Sequence, residues 1–137
     1  MITSSVKTSV LLAILVALLT GCSSAEREKQ RHLAMVAENR ASFLASELPI
    51  EAGPLSILRA TAKQTTIEIM MVYNQEAKGA KPIAQVLKTS IRTYCDNPET
   101  KENLDVGLSY RIKIRNSRGQ LMADEHITSQ RCSQLNQ

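Results

Sequence analysis

Ten consecutive apolar residues, Val10-Leu11-Leu12-Ala13-Ile14-Leu15-Val16-Ala17-Leu18-Leu19, follow a short polar stretch with one cation, Lys7. Crossing the hydrocarbon core as a helix takes about 20 apolar residues, and here Thr20, Gly21, Cys22, Ser23 and Ser24 come at once. A cation, a short apolar run and then small residues is the order of a secretory signal peptide, so this run decides which residues are left to fold. Removing residues 1–21 from 137 leaves 116, a size suited to one domain with a modest core.

The run ends in Leu19-Thr20-Gly21-Cys22, which resembles the lipobox of bacterial lipoproteins: an aliphatic residue, a small residue, Gly or Ala, then cysteine. The resemblance implies that the Cys22 thiol takes a diacylglycerol and that the amine freed by cleavage is acylated. Several fatty chains anchor firmly, because each buried CH₂ contributes roughly 0.8 kcal/mol. By similarity to the sorting rule of enteric-type bacteria, Ser23 in place of Asp directs the product to the periplasmic face of the outer membrane. The expected organisation is a removed leader at 1–21, a lipidated N-terminus and tether at 22–32, and a single domain at 33–137.

Losing Lys7 leaves 16 Lys and Arg against 13 Asp and Glu, a net of +3, with the signs interspersed in Glu26-Arg27-Glu28-Lys29 and Lys101-Glu102. That pattern is a solvated surface rather than a nucleic-acid stripe. With Cys22 committed to lipid, Cys95 and Cys132 make an even pair in an oxidising compartment, and a disulfide between them is expected. Closing a loop of that length contributes about 3 to 4 kcal/mol in the chain-entropy treatment. Two free thiols or a metal pair are the competing readings; no CxxC is present, and His32 and His126 lie in unrelated segments.

Leu33, Val36, Ala37, Ala41, Leu44 and Leu48 recur at helical spacing, predicting an amphipathic helix of about 20 residues that ends near Leu48, before Pro49. Residues 23–32 are polar and suit a tether or the solvated first turns of that helix. Leu55 and Ile57, then Thr65, Ile67, Ile69, Met71 and Tyr73, follow the period of strands on either side of a turn at Ala62-Lys63-Gln64. Ile83, Val86, Leu87, Ile91 and Tyr94 mark a second helix after Pro82, which delivers Cys95 at its end and stops at Asp96-Asn97-Pro98, with one further short turn over Glu99 to Leu104. Leu108, Tyr110, Ile112 and Ile114 alternate with Ser109, Arg111, Lys113 and Arg115 in the clearest strand, and Asn116-Ser117-Arg118-Gly119 turns it into a return strand over Gln120 to Ile127. The disulfide would then tie the second helix to the tail of the last strand. The fold class is α+β, a largely antiparallel sheet of four to five strands with helices packed on one face.

Site chemistry is sparse. No GxSxG, HExxH, CxxC, DxDxDG or glycine-rich phosphate loop occurs. His126 follows Asp124 and Glu125, but neighbours on a strand point to opposite faces, so Glu125 cannot orient it. Neither metal, cofactor beyond the covalent lipid, small-molecule substrate nor nucleic acid is expected, and no enzyme. What remains is apolar surface beyond one core: Met35 and Phe43 beside the first helix's stripe, and Met70 and Val72 on the second face of a strand, together a candidate partner groove.

Further strings, Leu48-Pro49-Ile50, Thr65-Thr66-Ile67, Ser90-Ile91-Arg92-Thr93-Tyr94-Cys95-Asp96-Asn97-Pro98, Gly107-Leu108-Ser109-Tyr110 and Arg131-Cys132, taken in order with the lipobox, resemble the type II secretion pilotins of the GspS-beta class, also called AspS. The resemblance spans nearly the whole mature chain. It implies a non-enzymatic escort whose lipid engages the lipoprotein sorting machinery while its body grips the C-terminal segment of a secretin subunit and carries it to the outer membrane. Residue by residue it reaches Cys22 for the lipid and Cys95 with Cys132 for the bridge. The alternatives are a lipoprotein inhibitor of a lysozyme-type enzyme and a small periplasmic hydrolase using His126.

Overall fold

The computed structural model describes residues 23–135 with their side chains; Cys22 and the leader lie outside these. The chain divides into two units, Met1–His32 and Leu33–Gln137. Helix α1 spans Ile2–Ser46, so residues 23–32 are helical, with exposed pairs such as Glu28–Arg31 at 3.7 Å and Gln30–Glu26 at 2.9 Å along their surface.

In the second unit, the remainder of α1 is followed by β1 (Ile50–Ala52), β2 (Leu55–Lys63), β3 (Thr66–Tyr73), α2 (Ile83–Asp96), α3 (Pro98–Asp105), β4 (Ser109–Asn116), β5 (Leu121–Ile127) and α4 (Ser129–Leu135). The strands form one sheet in the order β1-β2-β3-β4-β5. All neighbours are antiparallel except β3 and β4, which run parallel because α2 and α3 make the crossover between them. The α+β class, the mostly antiparallel sheet and the Cys95–Cys132 disulfide follow the sequence reading.

Alternation decides which face is covered. Ile67, Ile69, Met71 and Tyr73 of β3, Tyr110, Ile112 and Ile114 of β4, and Ile127 of β5 are buried with Leu33, Ala37 and Ala41 of α1, Ile91 and Cys95 of α2, and Leu104 of α3. Ala37 is fully buried, and a small side chain there lets helix backbone come close to its neighbours. Gly107, at φ 108°, sits where an added Cβ would lie 3.4 Å from Leu33 Cδ1. β2 keeps its apolar side inward only by a bulge between Ile57 and Arg59: Ile57 pairs with Met71, but Arg59 pairs with Met70, leaving Leu58 as the extra residue.

Helix boundaries follow local chemistry. Asn97 serves two helices at once: its backbone N–H donates to the carbonyls of Thr93 and Tyr94 as α2 ends, and its side chain accepts from the Thr100 N–H at 2.9 Å as α3 begins, with Pro98 in the first turn. The expected single turn after Asn97 is thus a full helix. Arg40 of α1 pairs with Glu99 of α3.

The position of Cys132 corrects one expectation. It lies in α4 rather than on a strand tail, so the bridge joins α2 to α4, with Cα atoms 5.4 Å apart. The polar sequence Ser-Gln-Arg-Cys-Ser-Gln-Leu buries no residue of its own, and that is why its helix was not visible from periodicity.

Candidate functional site

Two surfaces stand out. The first is an apolar trough of about 380 Å³ at the β1–β2 edge of the covered face. Leu55 and Ile57 of β2 and Met71 and Tyr73 of β3 form its floor, Ala52 and Pro54 its rim, and Val86, Thr93 and Tyr94 of α2 its wall. The short hairpin supplies the rim because Gly53, at φ 61°, allows a two-residue turn between Ala52 and Leu55. Tyr73 closes one end: its hydroxyl accepts from the Lys81 N–H at 2.6 Å and donates to the Lys81 carbonyl at 2.8 Å, fixing the loop that leads into α2. At the other side the Tyr94 ring lies 5.5 Å from that of Tyr110, tilted by 59°, and burial pushes the Tyr94 phenol well above the usual tyrosine range. An apolar trough with a few polar groups and Lys81 at its lip suits apolar side chains of a partner.

The second surface is the other face of the sheet. The register sets Arg59, Met70, Lys113 and Asp124 in one row across β2 to β5, and Thr61, Glu68, Arg111 and His126 in the next. Glu68 receives Lys113 at 3.0 Å, Lys63 at 3.1 Å and Arg111 at 3.4 Å, while Arg111 also grips Asp124 through two bonds of 2.7 and 2.8 Å. Burial alone would raise the Glu68 carboxyl, but the bonds from Lys113 and Lys63 hold it below the usual carboxylate range. The bond from Arg111 does the same for Asp124.

Met70 and Val72 stand half-buried on this open face, whereas Met35 and Phe43 are exposed on α1. None of the four lines the trough, and the fold does not bring the two pairs together. Phe43 instead lies under the Arg40 guanidinium, 5.5 Å from ring to cation. The trough escaped sequence reading because Leu55, Ile57, Met71, Val86 and Tyr94 each carry the periodicity of ordinary core positions.

His126 is exposed on the open face. The carboxylates beside it in sequence are both engaged elsewhere, Asp124 by Arg111 and Glu125 by Arg131 at 3.1 Å.

A single-sheet body with one helix-covered face and an apolar trough at its edge defines a small protein-binding domain. The chain belongs to the type II secretion system (T2SS) pilotin, S protein, family, which matches residues 29–132. The fold is similar to the solved type II secretion pilotin AspS from Vibrio cholerae, with 57% identity and a TM-score of 0.74 over 79% of this chain and 99% of that one. It is also similar to the pilotin EpsS of the Vibrio vulnificus type 2 secretion system, with 50% identity and a TM-score of 0.73 over 77% and 96% of the two chains. Among curated proteins, Pilotin AspS 2 of Escherichia coli O78:H11 is 25% identical over 108 residues, 79% of this chain and 76% of that protein. The match takes in 79% of this chain and 99% of the solved Vibrio cholerae chain, so that relative was solved as a folded body of this extent.

Proposed function

We propose that the protein is a lipid-anchored pilotin that holds the C-terminal segment of a type II secretion secretin in the trough between the β1–β2 hairpin and α2, and escorts that subunit to the outer membrane for assembly. The trough's apolar floor and wall carry this reading, together with the family to which the chain belongs. A secretin tail that is unstructured when free can fold onto such a surface as an amphipathic helix, with a few apolar anchors supplying most of the affinity. Cys22, outside the described residues, is the lipid attachment site in this scheme, and the lipoprotein sorting machinery reads the lipid rather than the trough. In this reading the work is non-enzymatic, and the carboxylates nearest His126 in sequence, Asp124 and Glu125, are bound to arginines.

Titrating the purified mature body with a synthetic peptide of the cognate secretin's C-terminal segment in a calorimeter tests the reading. Saturable one-to-one binding is expected; no heat at any accessible concentration would remove the basis for the pilotin role.

A further inference from the structure

The open face of the sheet carries charge that neither the trough nor the core requires. Arg59 and Lys63 of β2 and Arg111, Lys113 and Arg115 of β4 oppose Glu51 of β1, Glu68 of β3 and Asp124 of β5. Glu68 is taken up by three cations and Asp124 by Arg111, while Glu51 accepts from the Ser56 hydroxyl at 2.8 Å. Cations still outnumber carboxylates on this face, and the two outside the Glu68–Asp124 network are Arg59, which is exposed, and Arg115, whose NH1 donates to the Gly119 carbonyl at 2.8 Å. Met70, beside Arg59 in one row, and Val72, beside Arg115 in the next, offer half-buried apolar side chains on this face.

We propose that this face seats the body on an anionic phospholipid surface, with Arg59 and Arg115 meeting headgroup phosphates and Met70 and Val72 resting at the interface. Charge complementarity favours such a partner: guanidinium groups match phosphate oxygens in paired bonds, and each cation near an anionic bilayer strengthens attachment by about fivefold. The choice of a bilayer over an acidic protein draws on the proposed tether at Cys22, which would hold the body beside a membrane. Seated this way, the sheet would face the lipid while the trough on the covered side stayed free.

The test uses the unlipidated body, residues 23–137, so its outcome does not depend on whether Cys22 is acylated or on whether a secretin peptide binds. Sedimentation with vesicles of equal parts phosphatidylglycerol and phosphatidylcholine should pull the body down, and pure phosphatidylcholine vesicles should not. Raising NaCl from about 50 to about 500 mM should release it, because the Debye length shortens from over 10 Å to a few ångströms. The double variant Arg59→Glu/Arg115→Glu should weaken vesicle binding by at least about tenfold, and Arg59→Gln/Arg115→Gln, which introduces no new charge, should weaken it in the same direction. Circular dichroism checks that each variant keeps its fold. Equal binding to both vesicle types, binding to neither, or binding unchanged in a folded double variant would overturn the proposal. Retention on polyglutamate with none on vesicles would also overturn it, in favour of an acidic protein partner.

Discussion

Tyr73 and Lys81 hold each other through two hydrogen bonds on one hydroxyl, the Lys81 N–H donating to it at 2.6 Å and the hydroxyl donating to the Lys81 carbonyl at 2.8 Å. Tyr73 is only 3% exposed, so its replacement by Phe keeps the ring and leaves a partly buried amide and carbonyl without partners. Tyr73→Phe should lower unfolding free energy by about 1–3 kcal/mol in urea. If the loop from Asn74 to Pro82 shapes the trough, the same variant should weaken secretin-peptide binding more than a distant substitution of equal stability cost.

The Cys95–Cys132 bridge closes a loop with a sequence separation of 37. Cys95→Ala/Cys132→Ala, or reduction by dithiothreitol, should cost about 3–4 kcal/mol of stability, read as a lower urea midpoint. Because α4 buries no residue, hydrogen exchange in the reduced protein should rise first over Ser129–Leu135.

Glu68 and Asp124 set the acid limb of stability. Both carboxyls sit below their usual values in the folded protein, so their contribution is complete above the unfolded values near pH 4 and is lost as pH falls through the lower folded values. The thermal midpoint should therefore hold steady down to about pH 5 and decline below it. Glu68→Gln should lower the midpoint at pH 7 and narrow its gap to the parent protein as pH drops; a constant gap would show that the ionised carboxylate is not the stabilising form.

Gln64 occupies the β2–β3 turn at φ 54°, the left-handed region that disfavours a side chain with Cβ. Gln64→Gly should stabilise the fold by about 1 kcal/mol, measured by urea unfolding, with peptide affinity unchanged.

Much of this fold was legible from residues because local and global preferences agree. Strand β4 shows it best: Tyr110, Ile112 and Ile114 are buried and Arg111, Lys113 and Arg115 point to the open face, as their alternation requires. The bridge was legible from cysteine arithmetic, and the end of α2 from Asn97-Pro98. Other features left no local trace. The three residues of β1 are too few to show a period, and the bulge at Leu58 shifts the apolar phase of β2 from Leu55 and Ile57 to Ala60 and Ala62. Parallel pairing of β3 with β4 depends on the crossover, not on either strand's sequence. The trough is the largest omission, since it exists only where residues from β2, β3 and α2, distant in sequence, leave a gap between them.

The trough, and no other apolar surface, should receive the secretin segment. Calorimetry with the secretin C-terminal peptide, run on the parent body, on Val86→Arg and Leu55→Arg in the trough, and on Met35→Arg, Phe43→Arg and Met70→Arg outside it, tests this most directly. Each trough variant should weaken binding by at least about tenfold, equivalent to about 1.4 kcal/mol, while the three outside stay within about twofold of the parent. Undiminished binding by folded trough variants, with loss in Met35→Arg, Phe43→Arg or Met70→Arg, would contradict it.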